Sequence, residues 1–393
     1  MSGKIIEINE QKVKEHLGEF VRSTVEETLN SLLDEEAAAI CKAQKYERTE
    51  AREGSRSGHY ERKLLTRSGE VKLKVPKLRK VTFETAIIER YKRREISVEE
   101  AMIEMYIAGI SVRRVEDVTE VLWGSKVSPG TISNMNKKIY AEIEKWRNMP
   151  LGKHYAYVYL DGIWLKRTWG GEIKNISVLV AVGVNNEGFR EILGVSEGAK
   201  EDKESWKGFL AYLKGRGLEE IDMIISDKSL GLVETIPDFY PKAKWQRCMV
   251  HFYRNVFSKV PFDKIKQTAS MLKAIHAQEN IEEARRKKDI VVKKLIEMKL
   301  KKASDLVNEG CEETFSFYSF PVEHWKRIRT NNGLERIMKE IRRRTRVVGS
   351  FPDGESALML TAARLRHIAL STWSSRKYLN MSLLNEIDSD TVA

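Results

Sequence analysis

The chain has 393 residues, 41% hydrophobic and 32% charged, with three cysteines. Three thiols cannot build a disulfide scaffold or a four-cysteine zinc site, no run approaches the ~18 apolar residues that span a bilayer, and the N-terminal stretch lacks the apolar core of a secretory signal. The formal net charge is +12, and residues 42–94 hold 17 Lys or Arg against 7 acidic residues, a surplus that suits nucleic acid or an anionic membrane surface, or forms a solvated basic face.

At roughly 100–200 residues per domain the length predicts two to four domains. Residues 8–46 read as helix, with Val21, Val25, Leu29, Leu32 and Leu33 at helical spacing. Residues 48–60 are polar and glycine-containing and read as a loop or arm. Residues 61–76 read as a hairpin about Ser68-Gly69. Its second run would put Lys72, Lys74 and Lys77 along one ribbon, with Arg79 just beyond. Helices follow at 98–108, near 111–122 and at 129–147, with a break at Gly109. Ser128 suits the N-cap of the third and Pro129 its first position. Three short helices with a tight turn before the last resemble a helix-turn-helix. The third would offer Thr131, Ser133, Asn134, Asn136, Lys137 and Lys138 to a DNA groove. The plainer reading is a three-helix linker.

After Pro150 the pattern changes to apolar runs of strand length at 155–160, 176–184 and 189–195, the last two joined by the turn Asn185–Gly188. A helix at 202–214, a strand at 221–226, a helix at about 229–238 and a short strand near 244–250 complete an α/β order matching a ribonuclease H-like core. Residues 252–329 read as charged helices, and two more helices follow at 331–347 and 355–372. The expected units are therefore 1–96 (helix, basic arm and hairpin), 97–150 (helix-turn-helix), 151–251 (first part of the core), 252–329 (all-helical) and 330–393 (C-terminal helices of the core).

Asp161 ends the first apolar run and Asp227 ends the strand at 221–226. Neighbouring strands would bring them together, and paired carboxylates need a cation or proton between them. Mg²⁺, with its preference for hard oxygen ligands, suits such a site. Each also has a plain role, Asp161 in an Asp-Gly turn and Asp227 as a helix cap. Glu335, on the first turn of a helix, could complete the set or serve only a capping box with Asn332. Arg342, Arg343, Arg344 and Arg346 follow on that helix, for phosphates or for the helix C-terminus. Cys248 and His251 form a C-x-x-H pair, half of a zinc site. Trp245, Trp325 and Trp373 suit a core, and any one could stack on an unpaired base. The chain has no Walker A, G-x-G-x-x-G, H-E-x-x-H or G-x-S-x-G motif.

Six ordered blocks, GHYERKLLTRSGEVKLKVPKLR at 59–80, MIEMYIAGISVRRV at 102–115, YLDGIW at 159–164, ISDKSLGL at 225–232, WQRCMVHFYRN at 245–255 and NNGLERIMKEIRRRTRVVGSFP at 331–352, together resemble the Mutator-type DDE transposases of prokaryotic insertion sequences. The likeness runs from about residue 45 to 375. It implies a ribonuclease H-like core interrupted by the helical stretch 252–329, with Asp161, Asp227 and Glu335 as catalytic and metal-binding triad and Mg²⁺, or Mn²⁺ in its place, as cofactor. It further implies binding of terminal inverted repeats through the basic region and helix-turn-helix, cleavage and strand transfer without a covalent intermediate, and a homodimer or larger assembly on double-stranded DNA in the prokaryotic cytoplasm, at the nucleoid. Arg342 and Arg343 would contact DNA, and Cys248/His251 would be structural. Lys228 departs from the small residue expected after the second Asp, and a cation there either weakens metal binding or contacts DNA. The competing readings are a domesticated transposase that only binds DNA and a structure-specific nuclease.

Overall fold

The computed structural model describes residues 10–88, 92–108, 110, 112–169, 172–198, 202–348, 351 and 354–384. Gly109, read above as a break, lies outside them. The fold mixes helices and sheets in two compact units, Met1–Ile139 and Tyr140–Ala393.

In the first unit, α1 (Glu10–Cys41) is followed by an antiparallel hairpin of β1 (Ser55–Thr66) and β2 (Gly69–Arg79). The hairpin is longer than its sequence pattern suggests, because the polar residues 55–60, read as loop, pair with the far end of β2. The register shifts between Arg56 and His59, as at a β-bulge. Helix α1 covers the apolar face through Leu33, Leu64, Val71, Leu73 and Val75. It also satisfies the free edge of β2: the Asn30 side chain accepts from Lys74 N at 2.7 Å and donates to the Lys72 carbonyl at 3.1 Å. An unpaired strand edge is thereby closed by side chains instead of a third strand.

Helices α2 (Ile96–Ala108), α3 (Val112–Trp123) and α4 (Pro129–Arg147) come next. A separate small core of Leu65, Val98, Met102, Val115 and Val127 lies among them. Ser128 caps α4 as its sequence predicts: Ser128 Oγ accepts from Thr131 N at 3.3 Å.

The second unit is built on a five-stranded mixed sheet. Its strands are β3 (His154–Trp169), β4 (Glu172–Val184), β5 (Arg190–Gly198), β6 (Glu220–Ser226) and β7 (Lys244–Arg247), with α5 (Lys203–Gly215) before β6 and α6 (Leu230–Phe239) before β7. The spatial order is β5-β4-β3-β6-β7. The first three strands are antiparallel, while β3–β6 and β6–β7 are parallel. Strands at the centre of such a sheet are covered on both faces and read as unbroken apolar runs, as Ile176–Val184 does. Helices α5 and α6 bury one face through Val158, Leu160, Trp206, Phe209, Leu213 and Ile236.

Helices α7 (Met249–Phe257), α8 (Ile265–Ile275), α9 (Ile281–Glu297) and α10 (Lys301–Gly310) form a core of their own around Phe252, Leu272, Leu295 and Phe315. Gln246 of β7 ties this layer to the sheet, donating to the Thr314 carbonyl and accepting from Phe317 N, each at 2.9 Å. The chain then returns through α11 (Val322–Ile328), α12 (Asn332–Val348), α13 (Gly354–Ala369) and α14 (Thr372–Ser375). Helix α12 lies against β3, and α13 against β5 and β3.

The turn at Asn185–Gly188 fixes the last described segment. Gly188 has φ +88, and a Cβ there would meet the Leu379 carbonyl oxygen at 2.0 Å, so only glycine fits. Its carbonyl accepts from Tyr378 N at 2.8 Å.

Candidate carboxylate site

Asp161 does not end its strand. Residues Gly162–Trp169 continue β3, Gly162–Leu165 paired with the buried Ile176–Leu179 of β4 and Lys166–Trp169 with its exposed start, Glu172–Asn175. The strand does lose its parallel neighbour there, the last β3–β6 pair being Tyr159 with Ile225. Asp161 and Asp227 thus each lie two residues past that pair, Asp161 within β3 and Asp227 just beyond the end of the adjacent β6. Asp161 Oδ1 accepts from Gly162 N at 2.9 Å, and Asp227 Oδ1 from Lys228 N at 2.7 Å.

Glu335 stands on the first turn of α12. Its backbone N donates to the Asn331 carbonyl at 2.9 Å. Its carboxylate does not close a capping box. Instead Oε1 meets His251 Nε2 at 3.1 Å and Arg254 Nη1 at 3.3 Å. Both partners come from α7.

The C-x-x-H pair is the junction of these elements. Cys248 N donates to the Ser226 carbonyl at 2.7 Å, one residue before Asp227. Cys248 Sγ accepts from Asn331 N at 3.2 Å. Asn331, fully buried, donates through Nδ2 to the Leu160 carbonyl at 3.2 Å, one residue before Asp161. One turn along α7, His251 reaches Glu335. Two buried residues therefore bond the chain immediately before both aspartates to the start of the glutamate's helix. The sequence pattern singled out Cys248 and His251 but not Asn331, whose only signal is the Asn331-Asn332 pair ahead of a helix.

The oxygen donors of Asp161, Asp227 and Glu335 are the hard type that suits Mg²⁺. Two buried polar atoms beside them, Asn331 Oδ1 and His251 Nδ1, have no hydrogen-bond partner. Among the described residues no three His, Cys, Asp or Glu side chains stand close enough to hold an ion, and Glu335 is directed at His251 and Arg254 instead.

The other singled-out residues are dispersed. Lys72, Lys74, Lys77 and Arg79 are all exposed on β2. On α4 Asn134 is exposed and Thr131 half-buried, while the side chains of Ser133, Asn136, Lys137 and Lys138 lie outside the described residues. Arg342, Arg343 and Arg346 are exposed, Arg343 pairing with Glu340 at 2.8 Å, and Arg344 is buried. Trp245 Nε1 donates to Ser226 Oγ and Trp325 Nε1 to the Phe320 carbonyl, both as core residues do.

The match to known proteins extends over nearly all of these elements. The family model described as "Transposase, Mutator family" matches residues 1–373. The chain belongs to the Mutator family of transposases. It is 36% identical over 370 residues to the transposase for insertion sequence element ISRM5 of Rhizobium meliloti, covering 94% of this chain and 92% of that protein. It is 34% identical to the transposase for insertion sequence element IS256 in transposon Tn4001 of Staphylococcus aureus, covering 96% and 97%. The transposase for IS1081 of Mycobacterium tuberculosis is 32% identical, over 93% and 88%.

In this family member Lys228 is engaged away from Asp227. Its Nζ meets Glu313 Oε1 at 2.6 Å, and Glu313 Oε2 meets Arg247 Nη1 at 3.0 Å. The cation beside the second aspartate is thus paired with a carboxylate of the helical layer. Among the described residues no helix is long and apolar enough to cross a membrane.

Proposed function

We propose that this Mutator-family transposase binds the terminal inverted repeats of an insertion sequence and cleaves and joins DNA strands through Asp161, Asp227 and Glu335. The observation that carries the reading is the Cys248–Asn331 junction, which bonds the residues preceding both aspartates to the helix that bears the glutamate. A junction of that kind suits a site whose three acids come from distant parts of the chain and must be registered together.

The sheet order supports a ribonuclease H-like core: three antiparallel strands, then parallel strands alternating with helices. Helices α7 to α10 would be an insertion between the second aspartate and the glutamate. The three carboxylates would hold Mg²⁺, or Mn²⁺ in its place. When bound, the ions supply Lewis acidity to the attacking oxygen and to the departing 3′-oxygen. The protein's own work is positional. Asp161 is carried on β3 and Asp227 directly after the adjacent β6, and His251 and Arg254 fix the Glu335 carboxylate. The Lys228–Glu313 pair keeps an ammonium from neutralising Asp227.

The first unit would supply DNA recognition. The exposed cations Lys72, Lys74, Lys77 and Arg79 of β2 suit phosphates, and α2–α4 read as a helix-turn-helix with Asn134 exposed on α4. Two element ends must be joined in one event, so a dimer or larger assembly on DNA is expected.

The test is a strand-transfer assay on the element's own ends with wild type and Asp227→Asn, in Mg²⁺ and in EDTA. Joined product that requires both Mg²⁺ and Asp227 supports the reading. End binding without cleavage by wild type would replace it with the DNA-binding-only alternative.

A further inference from the structure

A cavity of about 570 Å³ is lined in part by residues of α7 and α12, the two helices that make the Glu335 contacts. Met249 and Val250, between Cys248 and His251, form part of its wall, as do Gly333, Arg336 and Ile337 around Glu335. The cavity therefore shares both supporting helices with the carboxylate site.

Its lining is strongly cationic. Arg190, Lys326, Arg327, Arg329 and Arg336 all line it, with Arg329 Nη1 turned to the His276 carbonyl at 3.3 Å. Among the described residues none of these five is ion-paired with a carboxylate. Glu340, the one acid in the wall, is already held by Arg343 and Arg364, each at 2.8 Å. Like charges gathered in a concavity without counter-charges raise the local potential and favour an anion.

The geometry of Arg190 is specific. Its guanidinium lies 4.5 Å from the Trp373 ring centroid and 4.6 Å from that of Tyr378, and its Nη2 donates to the Trp373 carbonyl at 2.8 Å. Arg327 lies over the Tyr378 ring at 5.0 Å. Buried Arg190 Nε has no hydrogen-bond partner. A guanidinium held between two rings is fixed in place and offers its positive charge to a phosphate.

We propose that this cavity receives one unpaired nucleotide of the DNA substrate, its phosphate among Arg190, Lys326, Arg327 and Arg336 and its base beside Trp373 and Tyr378. Duplex phosphates sit on a convex surface and are met by flat or raised patches, such as the exposed cations of β2. A concave, aromatic-walled pocket instead fits a nucleotide turned out of the stack. The inference rests on the reading that this unit acts on DNA, but not on the identity of the catalytic acids.

The experiment uses the full-length protein and a short duplex with a single-stranded thymidine tail carrying one 5-iodouracil, irradiated in EDTA so that no cleavage occurs. Cross-linked peptides are mapped by mass spectrometry. The expected result is a cross-link within the peptide containing Trp373 and Tyr378, absent when the iodouracil is placed in a blunt duplex. The double variant Lys326→Ala/Arg336→Ala, altered only at exposed positions, is expected to lower that cross-link by about tenfold. Asp227→Asn is expected to leave it unchanged, which separates this inference from the catalytic reading. A cross-link confined to the first unit, one of equal yield from blunt duplex, or one insensitive to the double variant would overturn it.

Discussion

Cys248 and Asn331, 83 positions apart, are joined by a hydrogen bond from the Asn331 backbone N–H to Cys248 Sγ at 3.2 Å. From this contact Asn331 reaches the Leu160 carbonyl and Cys248 reaches that of Ser226. Asn331→Ala is expected to destabilise the second unit by about 1–3 kcal/mol, because the Leu160 carbonyl and its surroundings stay buried while their donor is lost. Urea unfolding monitored by circular dichroism measures this, and an unchanged midpoint would contradict the junction's structural weight.

The same burial governs thiol chemistry. Cys41, Cys248 and Cys311 are all buried free thiols. Burial raises the Cys248 thiol above its usual range, opposed by donation from Asn331 N, and pushes Cys311 up to about 12. Because the thiolate is the nucleophile, native protein at pH 8 is expected to react only slowly with a thiol reagent, and all three thiols should react once it is unfolded. Fast native labelling of Cys248, read by mass spectrometry, would contradict this placement.

His276 predicts an acid sensitivity. It sits in the helical layer between Tyr253 OH at 2.9 Å and Thr314 Oγ1 at 2.7 Å. Burial lowers its pKa from 6.5 to about 4. Below pH 6.5 the unfolded chain takes up a proton that the folded chain refuses, so stability is full above that pH and falls as pH drops toward 4. The loss reaches about 3 kcal/mol. Comparison of wild type with His276→Gln in urea at pH 7 and pH 5 measures it. The wild type should lose clearly more between the two pH values than the variant does.

Lys228 and Glu313 should not be equivalent on mutation. Removing the half-exposed ammonium in Lys228→Ala is expected to cost about 1 kcal/mol or less. Removing the carboxylate in Glu313→Ala strands Arg247, whose side chain is 7% exposed, and should cost about 3 kcal/mol. Thermal melts of the two variants check the order, and a reversal would show that Glu313 does not neutralise Arg247.

Much of this arrangement is legible in the sequence. The apolar runs at 155–160 and 176–184, the turn ending at Gly188 and the Ser128-Pro129 helix start all stand where their local chemistry puts them. The misreadings share a cause. Asp161 reads as a strand end because an Asp-Gly pair suits a turn, but the residues after it go on pairing with β4 as far as Trp169. Residues 55–60 read as loop on a similar cue, being polar and glycine-containing. The carboxylate of Glu335 suits a capping box by spacing, and only the packing of α7 against α12 redirects it to His251 and Arg254. The roles of Asn331 and of the Lys228–Glu313 pair depend on partners more than eighty positions away, which no local pattern carries.

Asp161, Asp227 and Glu335 are proposed to act as one metal site, and iron(II) placed in the protein in place of Mg²⁺ tests this directly. With ascorbate and peroxide, iron bound there should cut the polypeptide near residues 161, 227 and 335 together, and excess Mg²⁺ or Asp227→Asn should suppress all three cuts. Cuts at only one of these segments, or at others insensitive to Mg²⁺, would contradict a shared site.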